Sequence, residues 1–320
     1  MSSNANFNST TTAEEVATAF KNKVAGKYFI ITGANIGLGK ESARVLAKEG
    51  GIITICSRTP SKGEEAKSDI LKEFPSANIT VLKLDLGSLK SIKAFADEYS
   101  NSKKPLNVLI NNAGIMACPL TLTEDGFESQ FGVNHVGHFY LTKLLLPLLE
   151  KSGTVKEPSR VVNLSSIAHI MLAPSEGILF DDLDGSKKYN SWTRYGNSKL
   201  ANVLFTVDMQ KRFNKGGKIA FVTLHPGNIL STNLSQFMGI SSSLEMVCAL
   251  NWREAGLMVD QKNIPQGAAT TIVCALDPKI EFAKYYTDCQ VSTRTHKHAF
   301  DEEMAEKLTK VTEELISAKI

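Results

Sequence analysis

Two stretches of the chain pair a tyrosine with a lysine four residues on: YSNSK, Tyr99 to Lys103, and YGNSK, Tyr195 to Lys199. On a helix such a pair lies one turn apart on the same face. A phenol with its ordinary pKa of ~10 is a poor base near neutrality, and a neighbouring ammonium favours its ionised form. The chemistry on offer is proton transfer to or from an oxygen atom. Chance supplies this spacing easily, so the surrounding elements must decide which pair can use it.

Those elements alternate. The apolar runs KYFIIT, GIITICS, ITVLKLD, LNVLINN, RVVNLSS and IAFVTLH are separated by amphipathic helical stretches. Such alternation predicts an α/β fold with a doubly wound, mostly parallel sheet of about seven strands, the last near KYYTDCQ, in a single domain over residues 27–320. Ligands of these sheets lie across the carboxyl ends of the strands. Tyr99 closes the helix before the fourth strand, which assigns it to the amino edge as a solvated helix end. Tyr195 opens the helix after the fifth strand, on the ligand-facing edge.

The first strand runs into TGANIGLG, Thr32 to Gly39, whose Gly33, Gly37 and Gly39 suit a tight turn that approaches a pyrophosphate at a helix N-terminus. The spacing is GxxxGxG, not GxGxxG. The second strand ends Cys56-Ser57-Arg58, with no carboxylate for a ribose 2′-hydroxyl and an arginine suited to a 2′-phosphate. NADP(H) is therefore the expected cofactor. Asp85 ends the third strand, facing an adenine, and NNAG, Asn111 to Gly114, ends the fourth with small residues beside the ribose.

Composition narrows the partners. Net charge is +3 and charged residues make up 22%, with no basic, aromatic-laced stripe for nucleic acid. Five scattered cysteines without a CxxC spacing suit a reducing compartment, and no metal site is expected. Residues 1–26 read as a polar tail followed by a short amphipathic helix, AEEVATAFKNKV, that packs on the domain. Without an apolar targeting segment or a run of ~18 apolar residues, a cytoplasmic protein with no spanning helix is expected.

Together these residues resemble the short-chain dehydrogenase/reductase family over roughly Lys27 to Cys289. The likeness rests on TGANIGLG, NNAG, VNHVG, VVNLSS, YGNSK and HPGNI in order. INNAGIMACP, VNHVGHFYLTKLLLP, YGNSKLANVLF and PQGAATT are similar to its retinol dehydrogenase-like branch. That branch also holds the catalytic domain of the WW-domain-containing oxidoreductase and a dehydrogenase of the chloroplast-envelope translocon. The resemblance implies Tyr195 as general acid/base, Lys199 as its partner, Ser166 as the hydroxyl that orients the reacting oxygen, and Asn134 as a relay held by a backbone distortion. Ser165 competes with Ser166, and strand alternation favours the latter. It further implies cofactor contacts from Gly33, Asn35, Ile36, Gly37, Leu38, Gly39, Ser57, Arg58, Asp85, Leu86, Asn112, Ala113, Gly114, Tyr195, Lys199, Pro226, Gly227 and Ile229.

The expected activity is NADP(H)-dependent hydride transfer to or from a hydrophobic alcohol/carbonyl substrate. Lys199 and a cationic nicotinamide would lower the Tyr195 pKa. A substrate lid is expected at about 229–264, where Met238, Leu244, Met246, Val247 and Leu250 suggest an apolar pocket or a membrane-touching surface. The apolar helices VGHFYLTKLLLPLLEK and KLANVLFTVDMQKR suggest a symmetric homodimer. His135 and His138 read as packing or surface residues, and His296 and His298 as a solvated loop. The alternative is a non-catalytic NADPH-binding sensor or scaffold on the same fold, which would call for a lost catalytic residue; none is lost.

Overall fold

The computed structural model describes residues 6–213, 216–229 and 261–320. Its strands are β1 (Tyr28–Thr32), β2 (Ile52–Ser57), β3 (Asn78–Lys83), β4 (Val108–Asn111), β5 (Ser159–Leu164), β6 (Ile219–Leu224), β7 (Tyr285–Thr287) and β8 (Gln290–Val291). They form one sheet in the order β3-β2-β1-β4-β5-β6-β7-β8. The first seven are parallel, as expected, and β8 is antiparallel to β7. This extra strand turns on Asp288 and Cys289, both at positive φ (52° and 65°), the geometry of a two-residue hairpin. Asp-Cys is an unusual pair for it, which hid the strand in the sequence.

Residue alternation sends the strand side chains to two cores. Ile30, Leu109, Val161 and Phe221 meet α5 (Leu89–Asn101), α7 (Gly137–Ser152) and α9 (Ser191–Phe213) on one face. Phe29, Ile31, Ile55, Val162 and Val222 meet α3 (Gly37–Lys48), α4 (Pro60–Glu73) and a helix at Ile264–Leu276, here α10, on the other. Strands buried on both sides must read as unbroken apolar runs, as these do.

The N-terminal helix α1 (Ala13–Ala19) starts with a capping box between Thr12 and Glu15, and α2 (Lys21–Val24) follows it. Val16, Ala17, Phe20 and Val24 are buried in the second core, where α1 packs against α3 and α10. The C-terminal helix α11 (Glu302–Ser317) packs along α9. Thr309 donates to Asp208 (2.6 Å), and Thr312 meets His135 Nε2 (3.0 Å). The apolar surface of α9 that the sequence assigned to a second copy is thus covered by this chain's own C-terminus.

Between β4 and β5 the chain forms the short α6 (Ser129–Phe131), a π-helix (Gly132–Val136) and α7 in succession. The sequence suggested one long helical segment with a distortion at Asn134, and the π-helix is that distortion. Among the described residues, no helix is long and apolar enough to cross a membrane. Met238, Leu244, Met246, Val247 and Leu250 lie outside the described residues, as does nearly all of the expected lid.

Candidate active site

The carboxyl edge of the sheet gathers the residues that the sequence singled out. Asn190 starts α9 by accepting the N–H groups of Trp192 (3.1 Å) and Thr193 (2.9 Å). That start puts Tyr195 and Lys199 on the helix face turned toward the end of β5. Both are buried, at 4% exposure each. Ser166 lies between β5 and the short α8 (Ala168–Met171), its hydroxyl accepts the Ala168 N–H (3.2 Å), and it stands near enough to the Tyr195 phenol to favour its ionised form slightly. Ser165, the competitor, points away and donates to the Lys199 carbonyl (2.7 Å).

Lys199 Nζ donates to the Leu164 carbonyl (3.1 Å), its single hydrogen bond among the described residues. Burial lowers its pKa to about 8. Burial also raises the Tyr195 phenol to about 12, against a smaller opposing effect of the nearby Ser166. The expected downward shift of Tyr195 is therefore not present in the protein alone. Desolvation dominates, and the phenol keeps its proton.

Asn134 lies in the π-helix, fully buried. Its Nδ2 donates to the Ile115 carbonyl (2.9 Å) and Ser198 Oγ (3.0 Å), and its Oδ1 accepts the Ile115 N–H (2.9 Å). These bonds link the π-helix, the NNAG loop and α9. Gly114 completes the group: a Cβ there would stand 3.3 Å from Asn134 Oδ1 and 3.4 Å from Lys199 Nζ.

The first turn is built by close approach. Gly33 sits at φ 64°, in the left-handed region that favours glycine, and a Cβ on Gly39 would be 2.5 Å from Asn112 Nδ2. Asn112 Nδ2 donates to the Thr32 carbonyl (2.8 Å), so the NNAG loop is fastened to the TGANIGLG turn. Asn35, Ile36, Gly37 and Leu38 complete that turn, and Ile36 is an exposed large apolar residue on it.

Arg58 is exposed beyond β2, with no ion pair among the described residues. Ser57 differs from expectation: it is buried and its hydroxyl donates to the Thr59 carbonyl (2.8 Å), so its proton is already committed. Asp85 Oδ1 accepts the Gly87 N–H (2.9 Å), and Leu86 beside it is buried. Pro226, Gly227 and Ile229 follow β6, with the Lys262 side chain over Gly227 and paired to Asp288.

Several residues differ from, or were missing in, the sequence reading. Tyr99 is not solvated: it is 2% exposed, stacks on Phe95 and donates to the Pro105 carbonyl (2.7 Å), while Lys103 is exposed. The amino edge was right, the solvation wrong. His135 and His138 are core residues, and His296 is buried too, whereas His298 is partly exposed beside Asp301. His169 Nδ1 donates to the Ser166 carbonyl (2.6 Å). A buried polar chain runs below the site, from Asn111 to Asn163 (2.8 Å) and on to Thr206 (3.0 Å). Asparagines inside otherwise apolar strands were its only sequence signal. Trp192, Leu172, Ala168 and Ala117, with Met116 and Met171, form an apolar cluster around Tyr195.

Comparison with known proteins gives the family. Residues 27–177 match the family described as short chain dehydrogenase. The chain is 44% identical to retinol dehydrogenase 12 of Mus musculus over 92% of its own length and 87% of that protein's. It is 40% identical to short-chain dehydrogenase TIC 32 B, chloroplastic, of Brassica napus, over 94% and 92%. A crystal structure of an uncharacterized protein from Mycobacterium paratuberculosis superposes with a TM-score of 0.70 at 35% identity, covering 92% of this chain and 94% of that one. A sheet in this strand order, buried Tyr195 and Lys199 with Ser166 beside them at its carboxyl edge and relatives of this identity over nearly the whole length lead to one assignment: the chain belongs to the short-chain dehydrogenase family, in its retinol dehydrogenase-like branch.

Proposed function

We propose that this chain is an NADP(H)-dependent oxidoreductase that interconverts a hydrophobic carbonyl compound and its alcohol. The observation that carries the reading is the buried Tyr195 phenol beside Ser166, with Lys199 Nζ 5.6 Å from the centre of its ring. When bound, the cofactor supplies or accepts the hydride. Tyr195 delivers the proton to the substrate oxygen, and Ser166 hydrogen-bonds that same oxygen and fixes its direction. Lys199 helps Tyr195 to release its proton, and Asn134 holds the bend behind it.

The residues fit the cofactor. Lys199 has donors to spare for ribose hydroxyls beside the small Gly114, and Asp85 keeps one carboxylate oxygen for the adenine side. Arg58 suits the 2′-phosphate, with the Ser57 hydroxyl committed elsewhere. The Trp192, Leu172 and Met171 surroundings of Tyr195 support an apolar substrate. Four buried free thiols, Cys56, Cys118, Cys274 and Cys289, support a reducing, cytoplasmic setting. A homodimer would rest on the half-buried Leu144, Leu146 and Leu148 of α7, since α11 covers α9; sedimentation at twice the chain mass checks it.

The deciding experiment offers aldehydes, ketones, retinoids and steroids with NADPH and follows nicotinamide absorbance. Turnover of an apolar carbonyl that is lost in Tyr195→Phe is the expected result. Tight NADPH binding with no turnover of any carbonyl would favour a sensor instead.

A further inference from the structure

His138 stands apart from the groups above: it is 2% exposed, makes two hydrogen bonds, and joins two parts of the site. Its Nε2 is 2.9 Å from Thr32 Oγ1 and its Nδ1 is 3.0 Å from the Asn134 carbonyl oxygen. The protons on this ring follow from its neighbours. Thr32 Oγ1 already accepts the backbone N–H groups of Asn112 and Ala113, both at 2.9 Å. Those two bonds fill its lone pairs, and of the acceptors left for its hydrogen Nε2 at 2.9 Å is far nearer than the Ile110 carbonyl at 3.5 Å, so the hydroxyl donates to the ring and Nε2 accepts. The Asn134 carbonyl can only accept, so Nδ1 carries the hydrogen. A charged or Nε2–H ring would aim a third donor at one hydroxyl oxygen. Burial holds the ring neutral, with its pKa pushed down to about 4.

The two ends of this bridge differ in kind. Thr32 and its two amide partners form the junction of β1 with the NNAG loop, where the cofactor fit lies. Asn134 sits in the π-helix, whose side chain is already taken by Ile115 and Ser198, so its backbone carbonyl is the group left to orient. We propose that His138 is a positioning residue, a single neutral imidazole whose Nδ1–H fixes the Asn134 carbonyl and whose Nε2 fixes the Thr32 hydroxyl, thereby setting the relay bend against the cofactor loop. The role in turnover rests on the oxidoreductase reading above; the hydrogen-bond assignment does not.

Long-range 1H–15N NMR of the full chain reads the tautomer directly. An Nδ1–H signature for His138 is expected, and an Nε2–H or doubly protonated ring at neutral pH overturns the proposal whatever the protein turns over. Three variants then divide the two bonds. His138→Leu removes both, His138→Asn keeps an amide N–H near the Nδ1 position, and His138→Gln keeps an amide oxygen near the Nε2 position. With NADPH and an aldehyde substrate, kcat should fall about ten-fold in the Leu and Gln variants and return to within about three-fold in the Asn variant, at little change in the aldehyde KM. NADPH affinity should weaken in the Leu and Asn variants and recover in the Gln variant. Losses that follow each variant's melting temperature, regardless of which atom is kept, would mean that His138 only fills the core. NADPH affinity and the NMR signature report on His138 even if no carbonyl is turned over, which would overturn the oxidoreductase reading alone.

Discussion

Lys199 Nζ lies 5.6 Å from the centre of the Tyr195 ring, one helical turn along α9, and no carboxylate among the described residues neutralises it. The ammonium is therefore free to act on the phenol and on a bound ribose. Tyr195→Phe removes the proton and leaves the packing, so turnover should fall by roughly 10²- to 10⁴-fold while NADPH binding stays measurable. Tyr99→Phe removes only the bond to the Pro105 carbonyl, for a stability loss of about 1 kcal/mol and unchanged turnover. Equal kinetic losses in both variants would refute the assignment.

Cofactor choice is tested at the end of β2. Arg58→Ala should weaken NADPH binding by about 10- to 100-fold and leave NADH nearly unaffected, since a charge-assisted contact to one phosphate is at stake. Ser57→Ala should matter far less, because its hydroxyl is occupied by Thr59. Fluorescence titration of both nucleotides measures it, and an unmutated protein that binds NADH as well as NADPH would dismiss the role of Arg58.

Acid should unfold this protein early. Burial pushes His138 and His169 down to about 4, and His135 and His225 down to about 3. The unfolded chain takes up protons at these sites near pH ~6.5 while the folded one does not, so stability is present above that pH and is lost as pH falls toward 4. Once all four titrate in the unfolded state, the slope approaches about 5 kcal/mol per pH unit. Urea midpoints measured from pH 7 to 5 should fall steeply. A flat profile would show that these rings are charged in the fold.

Arg194, next to Tyr195, is fully buried and pairs with Asp182, also donating to the Asp182 and Lys188 carbonyls. Arg194→Ala leaves Asp182 without its cation and should destabilise the fold by about 3–5 kcal/mol. Pairing it with Asp182→Leu should return part of that loss. Thermal unfolding of the single and double variants decides, and additive losses would argue against coupling.

Much of this architecture was legible because parallel strands buried on both faces must be apolar throughout, and because glycines and asparagines at their carboxyl ends mark where loops approach one another closely. Gly33, Gly39 and Asn112 carry that signal. Tyr99 was misjudged because a helix-end position says nothing of what lies over it, and Phe95 and the Pro105 segment do. The protonation of Tyr195 could not be read from charge spacing, since desolvation depends on tertiary burial. His138 and His169 were invisible as anchors, because each holds a backbone carbonyl through Nδ1, and every sequence has those.

The helix α1 bears on where this protein begins as a physical object. The family match starts at residue 27, yet Val16, Ala17, Phe20 and Val24 fill the space between α3 and α10, and Gln266 and Gln290 reach back to the Thr10 and Phe7 carbonyls. The family model and the packing draw different borders here. A gene fragment cut at residue 27 would be expressed with an open seam directly behind the TGANIGLG turn. The loss would register as poor solubility, far from any residue that touches substrate.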